Sequence, residues 1–535
     1  MKVVIPMAGT SDRFSKEGYN VPKPLIQIEG KSMIEHIITM FSEQDDFIFI
    51  CNIKNLQKTN IEEVLKKVKP SGKIIGIDFK KLGPAWGVLE ALKKEDFIRD
   101  DESVIVNYCD FGWDWDYEDF KKTVKEKNCD GCVTAYKGFH PHLLGFGLYA
   151  SMRVDNNNWM LECREKHSFT ENKMDSFQQA GIFYFSNGAM LKKYFTEVVK
   201  RKLTVNGEYY VSVVTQLMKE NDLKIYVYQL EHFLQWGTPQ NLEECIYWSN
   251  IFRFKINKQP RYDAIVSKDL TLLVPMAGEG LRFKKDGYKT PKPLVDISGK
   301  PMVVQAVNDL PQASKHIFLC RKDHIEQYKI DKTLRDNYPN TKIIKVDKLT
   351  EGQACTCLLA EGSVDMENPL LIGACDNGML WNMNKFIDLV SNPKVGALII
   401  TFRHSFMVQR NPKAYGWVKI DKNENVVKVS CKIPISNNPL NDHAIVGSFY
   451  FKKAKYFFEG AKQMIKKNIR INNEFYVDTV MNELIENGLK VKVFEIDKYI
   501  CWGAPDDLRT YEYWQKYFDN AKSHPYSKKL DEDFD

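Results

Sequence analysis

Residues 271–294 read TLLVPMAGEGLRFKKDGYKTPKPL, and this stretch decides how the rest of the chain is read. The apolar run Leu272-Leu273-Val274 has the look of a buried strand. It runs into a small-residue loop, Ala277-Gly278-Glu279-Gly280-Leu281-Arg282, and then into Pro291-Lys292-Pro293-Leu294. A strand that ends in a glycine turn exposes backbone N–H groups at its C-terminal edge, where open α/β sheets bind ligands. Glycine lets the backbone approach a phosphate closely, and successive N–H groups make an anion-binding concavity. Arg282 and Lys292 add fixed positive charge. The stretch is expected to clamp a nucleoside triphosphate.

The stretch occurs twice. Residues 3–25 read VVIPMAGTSDRFSKEGYNVPKPL, and Pro6 and Lys23 return as Pro275 and Lys292, each 269 positions on. Asn107-Tyr108-Cys109-Asp110 returns as Gly373-Ala374-Cys375-Asp376 after 266 positions. At the same offset Glu208-Tyr209-Tyr210-Val211 returns as Glu474-Phe475-Tyr476-Val477, and Trp236-Gly237-Thr238-Pro239 as Trp502-Gly503-Ala504-Pro505. Five blocks in one order, almost without drift, mean a duplicated domain. We expect domains at 1–255 and 265–520, joined by a polar, basic linker, and a polar tail at 521–535 that frays at its end. Each domain is long enough to bury its own core.

Composition narrows the class. Of 535 residues, 44% are apolar and 27% charged, as in ordinary soluble chains. A net charge of +6 is small for this length and gives no footing for nucleic acid. Met1-Lys2 leads straight into a short strand, which argues against a signal peptide. No run approaches ~18 apolar residues, so no membrane span is expected. The twelve cysteines are scattered, several in apolar runs such as Cys51, Cys320 and Cys375, which suits reduced thiols in a cytoplasm. Cys129-Asp130-Gly131-Cys132 has a zinc or redox spacing but no second pair at a zinc-like distance, so it reads as a turn entering a strand. Glu29-Gly30-Lys31-Ser32 lacks the earlier glycine of a phosphate-binding Walker loop, because Leu25 stands there.

Within each half, strands alternate with helices, which implies a parallel sheet with helices on both faces. In the first half, strands are expected at 3–7, 47–51, 73–79 and 103–107, with helices at 32–41, 61–68 and 84–94. Past 130 a strand pair, 146–154 and 159–163, surrounds the turn at 155–158. A strand at 180–185 and helices near 189–200 and 208–219 follow. Asp110 falls just past a strand, at the ligand edge, where a carboxylate can hold Mg²⁺. Its return as Asp376 beside the repeated clamp outweighs the reading as a turn-forming aspartate. Gln353 opens a helix, where its amide could read a base edge. Glu165-Lys166 reads from spacing alone as a solvated charge pair. Its counterpart in the second half is Cys431-Lys432.

The combination P-M-A-G-x-G-x-R-F, then P-K-P-L, then a strand ending in C-D resembles the sugar-1-phosphate nucleotidylyltransferases, over nearly all of both halves. The resemblance implies two tandem Rossmann-like nucleotidyltransferase (GT-A-like) α/β domains, each a mostly parallel sheet flanked by helices. It implies that the loop residues Ala8, Gly9, Ala277, Gly278 and Gly280 cradle the triphosphate, and that Arg13, Lys23, Arg282 and Lys292 hold phosphates. Asp110 and Asp376 would bind Mg²⁺. Glu165, Lys166 and Lys432 would meet the acceptor, and Gln353 would read the base. The closing W-G-x-P resembles a variant found in branches serving capsule or lipopolysaccharide synthesis, some of which activate non-sugar phosphates. The partners implied are an NTP and a phosphorylated small-molecule acceptor, with no nucleic acid and no membrane; a homo-oligomer is left open. So are the base, the acceptor and whether both halves work.

The chain departs from the family pattern at three places. Ser11 and Pro84 stand where the second half has Gly280 and Gln353. Cys431 stands where the first half has Glu165. A second metal-binding aspartate, frequent before the closing motif, is replaced by Gln235 and Cys501, which leaves no carboxylate there in either half. Two rival readings remain. One is a glycosyltransferase of related fold that uses Asp114-Trp115-Asp116 to hold a metal–diphosphate. The other is a protein in which one half, more readily the first, is a silent regulatory copy.

Overall fold

The computed structural model describes residues 1–256, 267–521 and 524–529. The chain divides into two compact units, Met1–Ile246 and Tyr247–Asp535. The expected linker at 257–266 lies outside the described residues.

The first unit is built on a nine-stranded sheet. Lys2–Met7 lies between Asp46–Asn52 and Val104–Asn107, with Lys73–Ile77 beyond, all in parallel register. Its alternate residues serve opposite faces, as strand geometry requires. Val4 packs with the helices Pro84–Lys94, Gly188–Lys200 and Val211–Glu220. Val3 and Ile5 pack with Met33–Ile38, Ile61–Val68 and Tyr117–Glu126. Phe177–Phe185 then runs antiparallel beside Val104–Asn107. It carries Gly131–Tyr136 on one side and the hairpin Ser151–Val154/Met160–Arg164 on the other. The long strand therefore sets the wall with Glu165 next to the strand that ends near Asp110.

The second unit has the same plan. Ser267–Met276 lies between Ala313–Arg321 and Leu370–Ile372, with Thr341–Val346 outside, all parallel. His443–Phe451 runs antiparallel beside Leu370–Ile372 and Ala397–Phe402, and carries the hairpin Gly416–Ile420/Val426–Cys431.

Three expectations are corrected. The helix at 32–41 is shorter, Met33–Ile38, and opens with a capping box: Glu35 N–H donates to Ser32 Oγ at 3.4 Å and Ser32 N–H to Glu35 Oε2 at 2.6 Å. The domain edge falls earlier than 255. Trp248 and Phe252 pack on Tyr511, with centroids 5.9 and 5.7 Å away, so the C-terminal part of the helix Pro239–Ile256 belongs to the second unit. The tail does not begin at 521. His524 and Tyr526 are buried, and Gln515 Nε2 donates to Tyr526 Oη at 2.8 Å. Residues 530–535, the expected frayed end, lie outside the described residues. All twelve cysteines are free thiols, and Cys132 sits in the strand Gly131–Tyr136.

Candidate active site

In the first unit, Ala8, Gly9, Ser11, Arg13, Lys23, Asp110, Glu165 and Lys166 line one cleft of about 770 Å³. The glycine turn feeds a five-residue helix, Asp12–Lys16, too short to leave a periodic pattern in the sequence. Ser11 begins it at φ 61°, as Gly280 begins Leu281–Lys285 at φ 63°. The serine therefore takes up the left-handed conformation of the glycine it replaces. Its Oγ accepts the Lys23 backbone N–H at 2.8 Å, so the side chain ties the two halves of the clamp together.

Each clamp lysine meets the aspartate after the strand. Lys23 Nζ lies 2.9 Å from Asp110 Oδ2, and Lys292 Nζ 2.5 Å from Asp376 Oδ2. Burial works against the charge of both lysines, but the facing carboxylate outweighs it and holds each ammonium above its usual range. Burial likewise opposes the Asp376 charge. Lys292 and, further off, Arg282 prevail and keep that carboxyl below its usual range. Arg282, Lys292 and Asp376 thus converge, as do Arg13, Lys23 and Asp110.

The closing motif is joined to that aspartate by backbone. Trp236 N–H donates to Asp110 O at 3.1 Å, and Trp502 N–H to Asp376 O at 3.0 Å. Two-stranded sheets, Phe111–Asp114 with His232–Gln235 and Asn377–Leu380 with Lys498–Cys501, fix the register. Lys292 Nζ also donates to Gly503 O at 2.9 Å. A Cβ on Gly503 would lie 3.6 Å from Asp376 Oδ2 and 4.0 Å from Asp507 Oδ2; one on Gly237 would lie 3.0 Å from both Asp110 Oδ2 and Gln235 Oε1. Each glycine keeps open a space faced by side-chain oxygens, and in the second unit also by Cys501 Sγ, 3.4 Å from such a Cβ. The position before the closing motif carries no carboxylate in either unit, but in the second unit one stands close by. Asp507, on the helix Pro505–Asn520, stands beside Cys501, with Sγ–Oδ2 at 3.3 Å. Its first-unit counterpart is Asn241, which shares the Tyr149 hydroxyl with Gln235.

The loops opening the helices Pro84–Lys94 and Gln353–Leu358 are held alike. Gly83 at φ 90° and Gly352 at φ 113° lie so close to residues 209 and 475 that a Cβ would meet backbone nitrogen and oxygen at 2.6–2.7 Å. Gln353 is half-buried at its helix start, while the first unit offers Pro84 and Trp86 to the cleft.

On the other wall Glu165 Oε2 accepts from Ser212 Oγ at 2.5 Å, and Lys166 Nζ lies 3.7 Å from Glu165 Oε1. Burial raises the Glu165 carboxyl, with Ser212 and Lys166 opposing. The pair is thus half-enclosed and not a solvated surface pair. Lys432 donates to Ala414 O and lies 5.7 Å over the Tyr476 ring. In the second unit a smaller cavity of about 230 Å³ is lined by Ala277, Arg321, Asp323 and Lys348. Neither Gln353 nor Lys432 is among the residues lining it.

Asp116 caps the helix Tyr117–Glu126, accepting the Asp119 N–H at 2.9 Å, and Trp115 Nε1 donates to Met40 O at 2.8 Å. Capping engages Asp116 and packing engages Trp115, while Asp114 is exposed at the end of its strand. Ser212, Tyr149, Asp478 and Asp507 were not found by motif reading. The signal was present in the 266-position offset, where Ser212 and Asn241 are exchanged for Asp478 and Asp507.

Residues 3–173 match the MobA-like NTP transferase domain. The Bifunctional protein GlmU of Methanocaldococcus jannaschii is 29% identical over 232 residues, 42% of this chain and 48% of that protein. That of Methanococcus aeolicus is 26% identical over 226 residues, again 42% and 48%. The chain spans about half the length of the curated relatives it matches. Among solved structures, a nucleoside-diphosphate-sugar pyrophosphorylase from Vibrio cholerae RC9 is 20% identical with TM-score 0.38, covering 45% of this chain and 98% of that one. An inositol-1-phosphate CTP transferase from T. maritima is 16% identical with TM-score 0.38, covering 48% and 98%. With the repeated clamp and the matched domain together, the chain is similar to the sugar-1-phosphate nucleotidyltransferases, and residues 3–173 carry that likeness most directly.

Proposed function

We propose that each unit transfers a nucleoside monophosphate from an NTP to a phosphorylated acceptor, with release of pyrophosphate. The observation that carries this reading is the doubled Lys–Asp pair, Lys23–Asp110 and Lys292–Asp376, at the end of a parallel strand and beside a glycine turn. An acceptor phosphate oxygen attacks the α-phosphorus. The bond from that phosphorus to the bridging oxygen breaks, and its electron pair leaves with pyrophosphate. The acceptor phosphate is itself the nucleophile, so no Ser-His or Cys-His device is needed. The work is alignment and charge stabilisation.

In this scheme the amides of Ala8-Gly9 and of Ala277-Gly278-Gly280 cradle the triphosphate. Arg13 and Arg282 steady the departing pyrophosphate. Lys23 and Lys292, held charged by their carboxylates, bridge the attacked and attacking phosphates. Gln353 reads the base in the second unit, while Glu165, Lys166 and Lys432 face the acceptor. The oxygen donors at each site suit Mg²⁺, which binds few carboxylates and keeps phosphate oxygens and water. Asp110 would hold it in the first unit, with Gln235 near, and Asp376 in the second, with Asp507 near. When bound, the ion polarises the α-phosphate. The acceptor is read as a sugar-1-phosphate, and the NDP-linked product as a precursor for surface polysaccharide or glycoconjugate. The closing W-G-x-P motif supports this use, and the scattered free cysteines suit a cytoplasm. Among the described residues no helix is long and apolar enough to cross a membrane.

The test is incubation of four labelled NTPs with glucose 1-phosphate, inositol 1-phosphate or phosphocholine, reading pyrophosphate. Release that depends on both substrates is expected. NTP-independent chemistry, or transfer from an NDP-sugar, would replace this reading with a glycosyltransferase.

A further inference from the structure

The acceptor wall of the second unit differs from that of the first by three linked exchanges. Ala150, Glu165 and Ser212 correspond, at the offset of 266, to Gly416, Cys431 and Asp478. In the first unit the carboxylate lies at the end of the strand Met160–Arg164, and a helix serine donates to it. In the second the roles are exchanged. Cys431 ends the strand Val426–Cys431, and its thiol donates to Asp478, the second residue of the helix Val477–Glu486. The carboxylate has moved from strand to helix.

The third exchange makes the space. A Cβ on residue 416 would lie 2.2 Å from Asp478 Oδ2, so an alanine such as Ala150 does not fit beside it. The frame around the exchange is unchanged. Gln216 accepts the Cys163 N–H at 2.7 Å, and its counterpart Asn482 accepts the Val429 N–H at 2.9 Å. The lysine is unchanged too. Lys166 and Lys432 have φ 52° and 63°, and their Nζ atoms lie 5.9 and 5.7 Å over Tyr210 and Tyr476.

A wall that had lost its use would need only the loss at 431. It would not need a new acid at 478 and a new glycine at 416, since burying a carboxylate is unfavourable without a partner. Asp478 is only 8% exposed. It sits in the first turn of its helix, where backbone N–H groups favour an anion. Exchanging Glu for Cys also shortens the side chain at 431 and deepens the wall.

Resting on the function proposed above, we propose that Asp478 is the acceptor-side carboxylate of the second unit. It acts with Lys432, and its set-back position gives the two units different phosphorylated acceptors. The acceptor of the second unit carries hydroxyl or ammonium donors that reach deeper than those of the first.

The full-length protein tests this. With the first unit silenced by Lys23→Ala, Asp478→Asn is expected to raise the KM for the preferred acceptor among glucose 1-phosphate, inositol 1-phosphate and phosphocholine about tenfold. The KM for NTP should not change. In the same background, the triple exchange Gly416→Ala, Cys431→Glu and Asp478→Ser should keep the unfolding transition. It should also shift the acceptor preference to that of the first unit, measured in a Lys292→Ala protein. An unchanged acceptor KM in Asp478→Asn overturns the inference, as does a folded triple variant that keeps the second unit's preference. Absence of pyrophosphate release by the unmodified protein would overturn the functional reading and this inference with it. Release accompanied by either of the former results overturns the inference alone.

Discussion

In the first unit Ser11 closes the glycine turn and holds the Lys23 amide; in the second, Gly280 makes the same turn without a side chain. The first unit presents Pro84 and Trp86 where the second presents Gln353 and Cys355. Gln235 stands near Asp110 and shares the Tyr149 hydroxyl with Asn241, while Cys501 and Asp507 pair near Asp376. Through all this the Lys–Asp pair, the arginine and the tryptophan backbone bond to the aspartate do not change. The two copies agree where a polyphosphate would lie and differ where a base and an acceptor would. The differences come in touching sets, which fits the proposal of two separately tuned sites.

The comparison breaks most easily at its constant part. Arg282→Ala or Asp376→Asn should lower second-unit turnover by about 10²-fold or more. Arg13→Ala or Asp110→Asn should do the same for the first. Rates with each unit's preferred acceptor, alongside an unchanged melting curve, check this. A first-unit variant with normal rates would mark that unit as the silent copy.

Gly83→Ala and Gly352→Ala probe whether the nucleotide loops are equally constrained. Each adds a Cβ at positive φ, 2.6 Å from backbone oxygen. A loss of about 3 kcal/mol is expected in either unit from denaturant midpoints. A loss in one unit only would show that the two loops are held differently.

His316 offers a sharper contrast, because its first-unit counterpart is Phe47. Both rings stack on a phenylalanine of the same strand, His316 on Phe318 and Phe47 on Phe49. Burial pushes the imidazole down from 6.5 to about 4. The folded state therefore binds the proton less readily than the unfolded chain. Its contribution is fully present above pH 6.5 and is lost as pH falls toward 4, up to about 3 kcal/mol. His316→Phe should remove this acid sensitivity from the second unit, seen as a flatter midpoint-versus-pH curve.

The smallest effects belong to the turn. Ser11→Ala should cost about 1 kcal/mol for the lost bond to the Lys23 amide. Gly280→Ser should change stability by less than that, because Ser11 already adopts the required φ. The Ser11 hydroxyl shows why the exchange, read from the sequence as a departure, leaves the clamp intact.

Much of the site was legible because its residues repeat at fixed offsets. Lys23, Asp110 and the W-G-x-P motif could be paired with their copies without any fold. The short helix Asp12–Lys16 was not legible, since five residues carry no period. Nor were Asp478 and Asp507. The acid at 165 has no counterpart at 431, and acids stand at 478 and 507 where the first unit has Ser212 and Asn241. Only the fold brings each strand end against the next helix start. Glu165-Lys166 read as a solvated pair for the same reason: its enclosing Ser212 is 47 positions away.

The central claim is two polyphosphate clefts, each resting on one lysine. Counting NTP sites by calorimetry with a non-hydrolysable NTP tests it most directly. The account predicts two sites per chain, one in Lys23→Ala or Lys292→Ala, and none in the double variant. A stoichiometry unmoved by both substitutions would contradict it.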